Sequence, residues 1–179
     1  QNILKIEKNL KNFVKDTYII LDNKEFFPIE ISIKKDHNGN SISQENLINP
    51  LNVLKNLCQF SFKDKKIIHM LIENYQIDGK DYSFLPENLK CNNFSLDIKF
   101  ICLSKNLIEH YESVLKRYHI LVNQILNAEY IEQFQDQQNP NIYTTASRII
   151  SGYNNNEISL VNKTLKSKGF FEKFFDFFS

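Results

Sequence analysis

Apolar residues recur through the first positions at spacings of three and four: Ile3, Ile6, Leu10 and Phe13, with lysines between them. That is one stripe of an amphipathic helix, expected over 2–15. From Thr17 the period shortens. A run at 18–21 and a second at 27–34 read as strands, the second because Ile29, Ile31 and Ile33 alternate with Glu30 and Ser32. Pro28 suits a strand start or an edge. His37-Asn38-Gly39-Asn40 reads as a turn. Ser41 and Ser43 then offer N-caps to a helix near 46–57 carrying Leu47, Leu51, Leu54 and Leu57, with a kink or a late start expected at Pro50. A strand follows at 66–77. Ile67, His69 and Leu71 are expected on one face, and Ile68, Met70 and Ile72 on the other. Two apolar faces place such a strand inside a sheet. After a turn at Asp78-Gly79-Lys80 and a loop over 86–93, Leu96, Ile98 and Phe100 alternate with Asp97 and Lys99 in a strand at 95–103.

Ser104 caps a helix over 104–118 bearing Leu107, Ile108, Tyr111, Leu115 and Tyr118. A strand at 120–126 and a short helix at 128–134 come next. After the polar run Gln135–Asn139, a last helix at 144–151 is stopped by Gly152. Strands and helices in this mixture predict an α+β fold, a small sheet with helices packed on it. Ile98, Phe100, Leu107, Tyr111 and Leu115 are expected to meet at one strand–helix interface, with Asp97 and Lys99 facing water. Three segments are expected: an α+β domain over 1–153, a polar linker over 154–168, and an amphipathic helix over 169–179.

Composition narrows the chemistry. The 179 residues hold 22 basic and 21 acidic side chains, whereas a dedicated nucleic-acid binder shows a basic excess, so no nucleic-acid partner is expected. No apolar run is long enough to cross a bilayer and no leader pattern opens the sequence. Cys58, Cys91 and Cys102, odd in number and irregularly spaced, fit a reducing, cytosolic compartment. The four glycines, Gly39, Gly79, Gly152 and Gly169, are too scattered to build a phosphate-binding loop. No cofactor is expected. His37, His69, His110 and His119 lack the spacing of zinc ligands, so no metal is expected either. Cys102 reads as a small buried hydrophobe rather than a nucleophile. One catalytic alternative survives. Asp97 and Lys99 project from one strand face, as the acid-x-Lys element of magnesium nucleases requires, and Asp78 or Asp81 could add a second carboxylate. The commoner source of such alternation is a solvated sheet face, and the chain is read as a non-enzyme.

The sharpest pattern is terminal. Phe170, Phe171, Phe174, Phe175 and Phe178 share one side of a helical wheel, opposite Glu172, Lys173, Asp176 and Ser179. Lys166 and Lys168 precede them. A stripe of this kind, too short to span, is the pattern of a helix lying in a membrane interface. The expected membrane-binding residues are those five phenylalanines with Lys166, Lys168 and Lys173. A second expectation is that the aromatic tail docks in a groove of a partner protein.

Four segments in order resemble the bacterial cell-division protein family FtsA. Lys66-Ile67-Ile68-His69-Met70-Leu71-Ile72-Glu73-Asn74-Tyr75-Gln76-Ile77-Asp78 is similar to a strand of the family's 1C subdomain, the SHS2 module. The stretch from Asp97 to Asn123 looks like the second half of that module. Asn139-Pro140-Asn141-Ile142-Tyr143-Thr144-Thr145-Ala146 resembles the motif opening the family's last globular helix, and Gly169-Phe170-Phe171 its terminal amphipathic helix. The resemblance covers about 17–179. It implies a divisome adaptor at the septum, peripheral on the cytoplasmic side of the inner membrane. Its implied partners are the lipid surface, FtsZ or late divisome proteins, and other copies of itself. The actin-like lobes that carry the family's nucleotide and FtsZ surfaces would fall between Phe134 and Asn139, and they are missing.

Overall fold

Alternation along one strand organises the larger sheet. In the computed structural model, which describes residues 2–158 and 160, β5 (Lys90–Ser104) buries Leu96, Ile98, Phe100 and Cys102 on one side and turns Asp97 and Lys99 to the other. Antiparallel neighbours flank it: β2 (Phe27–Ser41) and β3 (Lys65–Ile77). The short β4 (Lys80–Tyr82) completes the order β2-β5-β3-β4. Ile31, Ile98 and Ile72 lie in one row across the three long strands. The β3–β4 connection is a two-residue turn, Asp78-Gly79, with φ of 46° and 81°. Two consecutive positive φ values suit the right-handed twist of a tight hairpin, and glycine tolerates the second without steric cost.

Helix α2 (Gln44–Ser61) covers the apolar side of this sheet through Leu47, Leu51, Leu54 and Cys58, against Met70, Leu96 and Phe100. The expected late start does not occur. Ser43 caps the helix with its N–H and hydroxyl donating to Asn46 Oδ1 at 2.7 and 2.9 Å, and the helix continues through the buried Pro50. Leu57, expected in the stripe, is 49% exposed, and Cys58 completes the buried row instead.

A second, two-stranded sheet pairs β1 (Asp16–Leu21) with β6 (Leu121–Asn127) in parallel. On one side Ile19, Leu21 and Ile125 meet Ile68 and Leu103 of the larger sheet, and Leu107, Ile108 and Tyr111 of α3 (Lys105–Lys116). On the other side Ile20 and Leu126 meet α4 (Ala128–Glu132) and α5 (Ile142–Ile150) through Ile131, Ala146 and Ile150. The fold is α+β, with small sheets and helices packed on them.

Several expectations are corrected. Ile98 and Phe100 face α2, whereas α3 packs on the opposite side against Leu103 and Ile68, so no single interface joins all five residues. Leu115 is only half-buried. Register shifts in β3 between Ile67 and His69, and again between Ile72 and Asn74, interrupt simple alternation. Each extra residue resets the side on which the next one falls. Ile67 therefore shares the α2 side with Met70 and Ile72, while Ile68 and Leu71 pack on the other. The turn read at His37–Asn40 is an irregularity inside a longer β2, with Asn38 and Gly39 at φ 53° and 74°. β5 starts at Lys90, inside the expected loop. The first helix, α1, spans Asn2–Leu10 and stops short of the expected 2–15; Ile6 and Leu10 on its stripe are 49% and 62% exposed, and Phe13, beyond its end, is 77% exposed.

The linker expectation fails at its start. Asn154–Ile158 docks on β3: Ile72 N–H donates to Asn156 O at 2.9 Å and Ile158 N–H to Met70 O at 2.8 Å. Ile158 is buried in the main core and Leu160 packs against it. The domain therefore extends past 153. The rest of the expected linker (Leu160 aside) and the whole terminal helix lie outside the described residues.

Candidate functional site

The docked segment is held by a buried polar cluster. His69 on β3 is fully buried, so each ring nitrogen requires a partner. Nε2 accepts the backbone N–H of Asn127 at 3.1 Å. That fixes the tautomer: the proton sits on Nδ1, which donates to Glu157 Oε1 at 2.7 Å. The other carboxylate oxygen accepts the Tyr130 hydroxyl at 2.7 Å, and that hydroxyl accepts Asn154 Nδ2 at 3.0 Å. The His69 and Tyr130 rings pack at a tilt of 50° with centroids 4.5 Å apart. Asn127 ends β6 and caps α4, its Oδ1 accepting Tyr130 N–H at 2.6 Å. Asn156 adds a second tie, accepting from Tyr75 Oη at 3.3 Å and donating to Ser83 O at 2.8 Å. Burial, then the adjacent Glu157 carboxylate, pushes the Tyr130 phenol far above its ordinary range. Every buried side-chain nitrogen and oxygen among the described residues has a partner. Neither nitrogen of His69 is left to meet a substrate. The cluster is a clasp that joins β3, the β6–α4 corner and the segment 154–158.

The acid-x-Lys pair lies on the solvent-facing half of the larger sheet. Asp97 accepts the Ser32 hydroxyl at 2.5 Å and Asn74 Nδ2 at 3.2 Å. The same amide nitrogen donates to Asp81 at 3.0 Å. An amide donor therefore occupies the place between the two carboxylates that a magnesium ion would need. Hydrogen bonds from Asn74 and Gln76 hold Asp81 below the ordinary carboxylate range. Lys99 turns to Glu73 at 3.3 Å and Glu30 at 3.8 Å. Asp78 accepts the backbone N–H groups of Asn92 and Asn93 and serves the strand connection. Among the described residues no three His, Cys, Asp or Glu side chains gather as a metal site.

Cys102 is buried beside Cys58, and burial with that neighbouring thiol pushes it up to about 12. A thiol so hard to ionise is a poor nucleophile. The expected membrane-binding residues Phe170, Phe171, Phe174, Phe175, Phe178, Lys166, Lys168 and Lys173 lie outside the described residues. Sequence reasoning missed Glu157, Tyr130 and Asn127. The signal was a histidine in an apolar strand, which obliges a polar partner from elsewhere in the chain.

No family model matches the chain, and no curated protein matches it. Fold and site together define an α+β domain whose final described segment is clasped to its central strands.

Proposed function

We propose that the chain is a non-enzymatic, FtsA-like cell-division adaptor on the cytoplasmic face of the bacterial inner membrane. Its α+β domain, read as an SHS2-like module, makes protein–protein contacts with late divisome proteins or further copies of the chain. Its terminal aromatic stripe attaches it to the lipid surface. The observation that carries the reading is the sequence pattern of five phenylalanines on one helical side, with Lys166 and Lys168 before them. The clasp around Glu157 supports it, because an attachment segment transmits position only if the chain before it is fixed to the domain. The exposed Ile6 and Leu10 of α1, with the exposed Phe13 just beyond it, support a role in contacting partners. Burial of a phenylalanine contributes at most about 1.5–3 kcal/mol, and ordering the segment offsets part of that. Single anchors therefore bind reversibly, and several on one assembly bind well.

Flotation with anionic vesicles tests this directly, using the intact chain beside a chain truncated after Lys166. The intact chain should float and the truncated one should sediment. Sedimentation of both, with the tail instead retained by a protein partner, would replace lipid attachment by partner docking.

A further inference from the structure

A strand at the edge of a sheet leaves one side of its backbone without a ladder. β1 is such a strand: among the described residues it pairs with β6 alone, so about half of its backbone N–H and C=O groups point away from that ladder. Ile19 and Ile20, on opposite faces of the strand, are both only half-buried. A groove of about 710 Å³ lies between α5 and the face of the two-stranded sheet that carries Tyr18, Ile20 and Leu126. Ile20, Leu126, Ala146 and Ile150 contribute its apolar floor. Asp22 and Glu132 stand on its rim, both exposed. Among the described residues no lysine or arginine lines the groove, and neither carboxylate forms a salt bridge.

We propose that an extended peptide segment of a partner protein adds as a further strand along the unpaired edge of β1, with its side chains on the α5 side entering this groove. An apolar side chain of that peptide rests on the floor, and a lysine or arginine nearby faces Asp22 and Glu132. Main-chain hydrogen bonds from an open strand edge supply affinity in this mode, and alternate side chains supply specificity. A helical ligand is disfavoured because its backbone groups are consumed internally and would leave the β1 edge unmatched. The rim selects charge: two uncompensated carboxylates attract a basic segment and repel an acidic one. The proposal needs neither lipid nor the aromatic stripe, so it stands or falls separately from the adaptor reading.

The test is selection of a displayed library of peptides, each about ten residues long, on the intact chain. That length covers one strand of ordinary extent. Enriched sequences should carry Lys or Arg within a few positions of an apolar residue, and the matching synthetic peptides should slow hydrogen exchange at β1 amides. Ser147→Arg places a long side chain in the groove from an exposed position on α5 and should weaken binding at least tenfold, a change of about 1.4 kcal/mol. Asp22→Lys with Glu132→Lys should do the same and transfer preference to peptides bearing Glu in place of the basic residue. That pair keeps the test decisive if Ser147→Arg fails to fold. An unenriched library, or peptides that bind all variants equally, would overturn the proposal. So would β1 amides already protected in the peptide-free chain, because the groove would then be filled by the chain itself or by a second copy.

Discussion

His69 takes its partners from residues 58 and 88 positions away, Asn127 and Glu157. Removing one member of such a cluster leaves buried donors facing nothing, which costs more than the bond itself contributed. Glu157→Ala strips acceptors from both His69 Nδ1–H and Tyr130 Oη. It should lower stability by about 2–4 kcal/mol in urea unfolding, roughly one desolvation penalty per orphaned group. Glu157→Gln, which keeps an acceptor, should cost less. Equal and negligible losses would mean that the segment 154–158 is not clasped. Cys102 allows a second test, through pH. Its ionisation is suppressed in the folded state, from an ordinary 9.0 up to about 12. A group with a raised folded pKa gives stability that is whole below its unfolded value and is lost as pH climbs toward the folded one. Stability should therefore fall between about pH 9 and about pH 12, and Cys102→Ala should flatten part of that fall. Parallel pH curves for the two proteins would contradict it. The sequence marked Cys102 as a small buried hydrophobe and placed His69 within an apolar strand. It concealed Glu157, because a glutamate within Asn154-Asn155-Asn156-Glu157 looks like solvated linker until β3 is placed beside it.

Elements follow the hydrophobic period more faithfully than their faces do. The alternation of β5 and the stripe of α3 were legible because each is local. Which side each stripe faces was not legible, because a one-residue shift in β3 exchanges the sides, and such shifts depend on pairing partners rather than on local composition. α1 shows the converse case: a well-formed amphipathic pattern without a core to receive it. Packing, not periodicity, thus decides which leucines matter. Leu54→Ala on the buried side of α2 should cost about 2–5 kcal/mol, whereas Leu57→Ala three residues on should stay within roughly 0.5 kcal/mol. On α3 the sensitive position should be the buried Ile108, with half-buried Leu115 responding less. Denaturant midpoints of the four alanine variants check the assignment, and a costly Leu57→Ala would mean that α2 is rotated from the position described.

For the whole molecule, the adaptor reading rests on a division of labour between a clasped domain and an aromatic end. Phe171→Glu together with Phe174→Glu tests that division. Both residues fall in the middle of the stripe by helical spacing. A carboxylate placed there must either lose its hydration or draw the segment out of the interface. The double variant should therefore stay in solution when mixed with anionic vesicles, while its unfolding curve matches that of the parent chain. Lysines make the smaller contribution: Lys166, Lys168 and Lys173 act through a potential that salt screens within about 10 Å at 0.1 M ionic strength. Raising salt should accordingly release less protein than the two substitutions do. Each result bears on a different link. A double variant that still floats removes the aromatic stripe as the anchor. One that unfolds would make those rings part of the core. One released by salt as fully as by substitution would turn the anchor from an apolar contact into an electrostatic one.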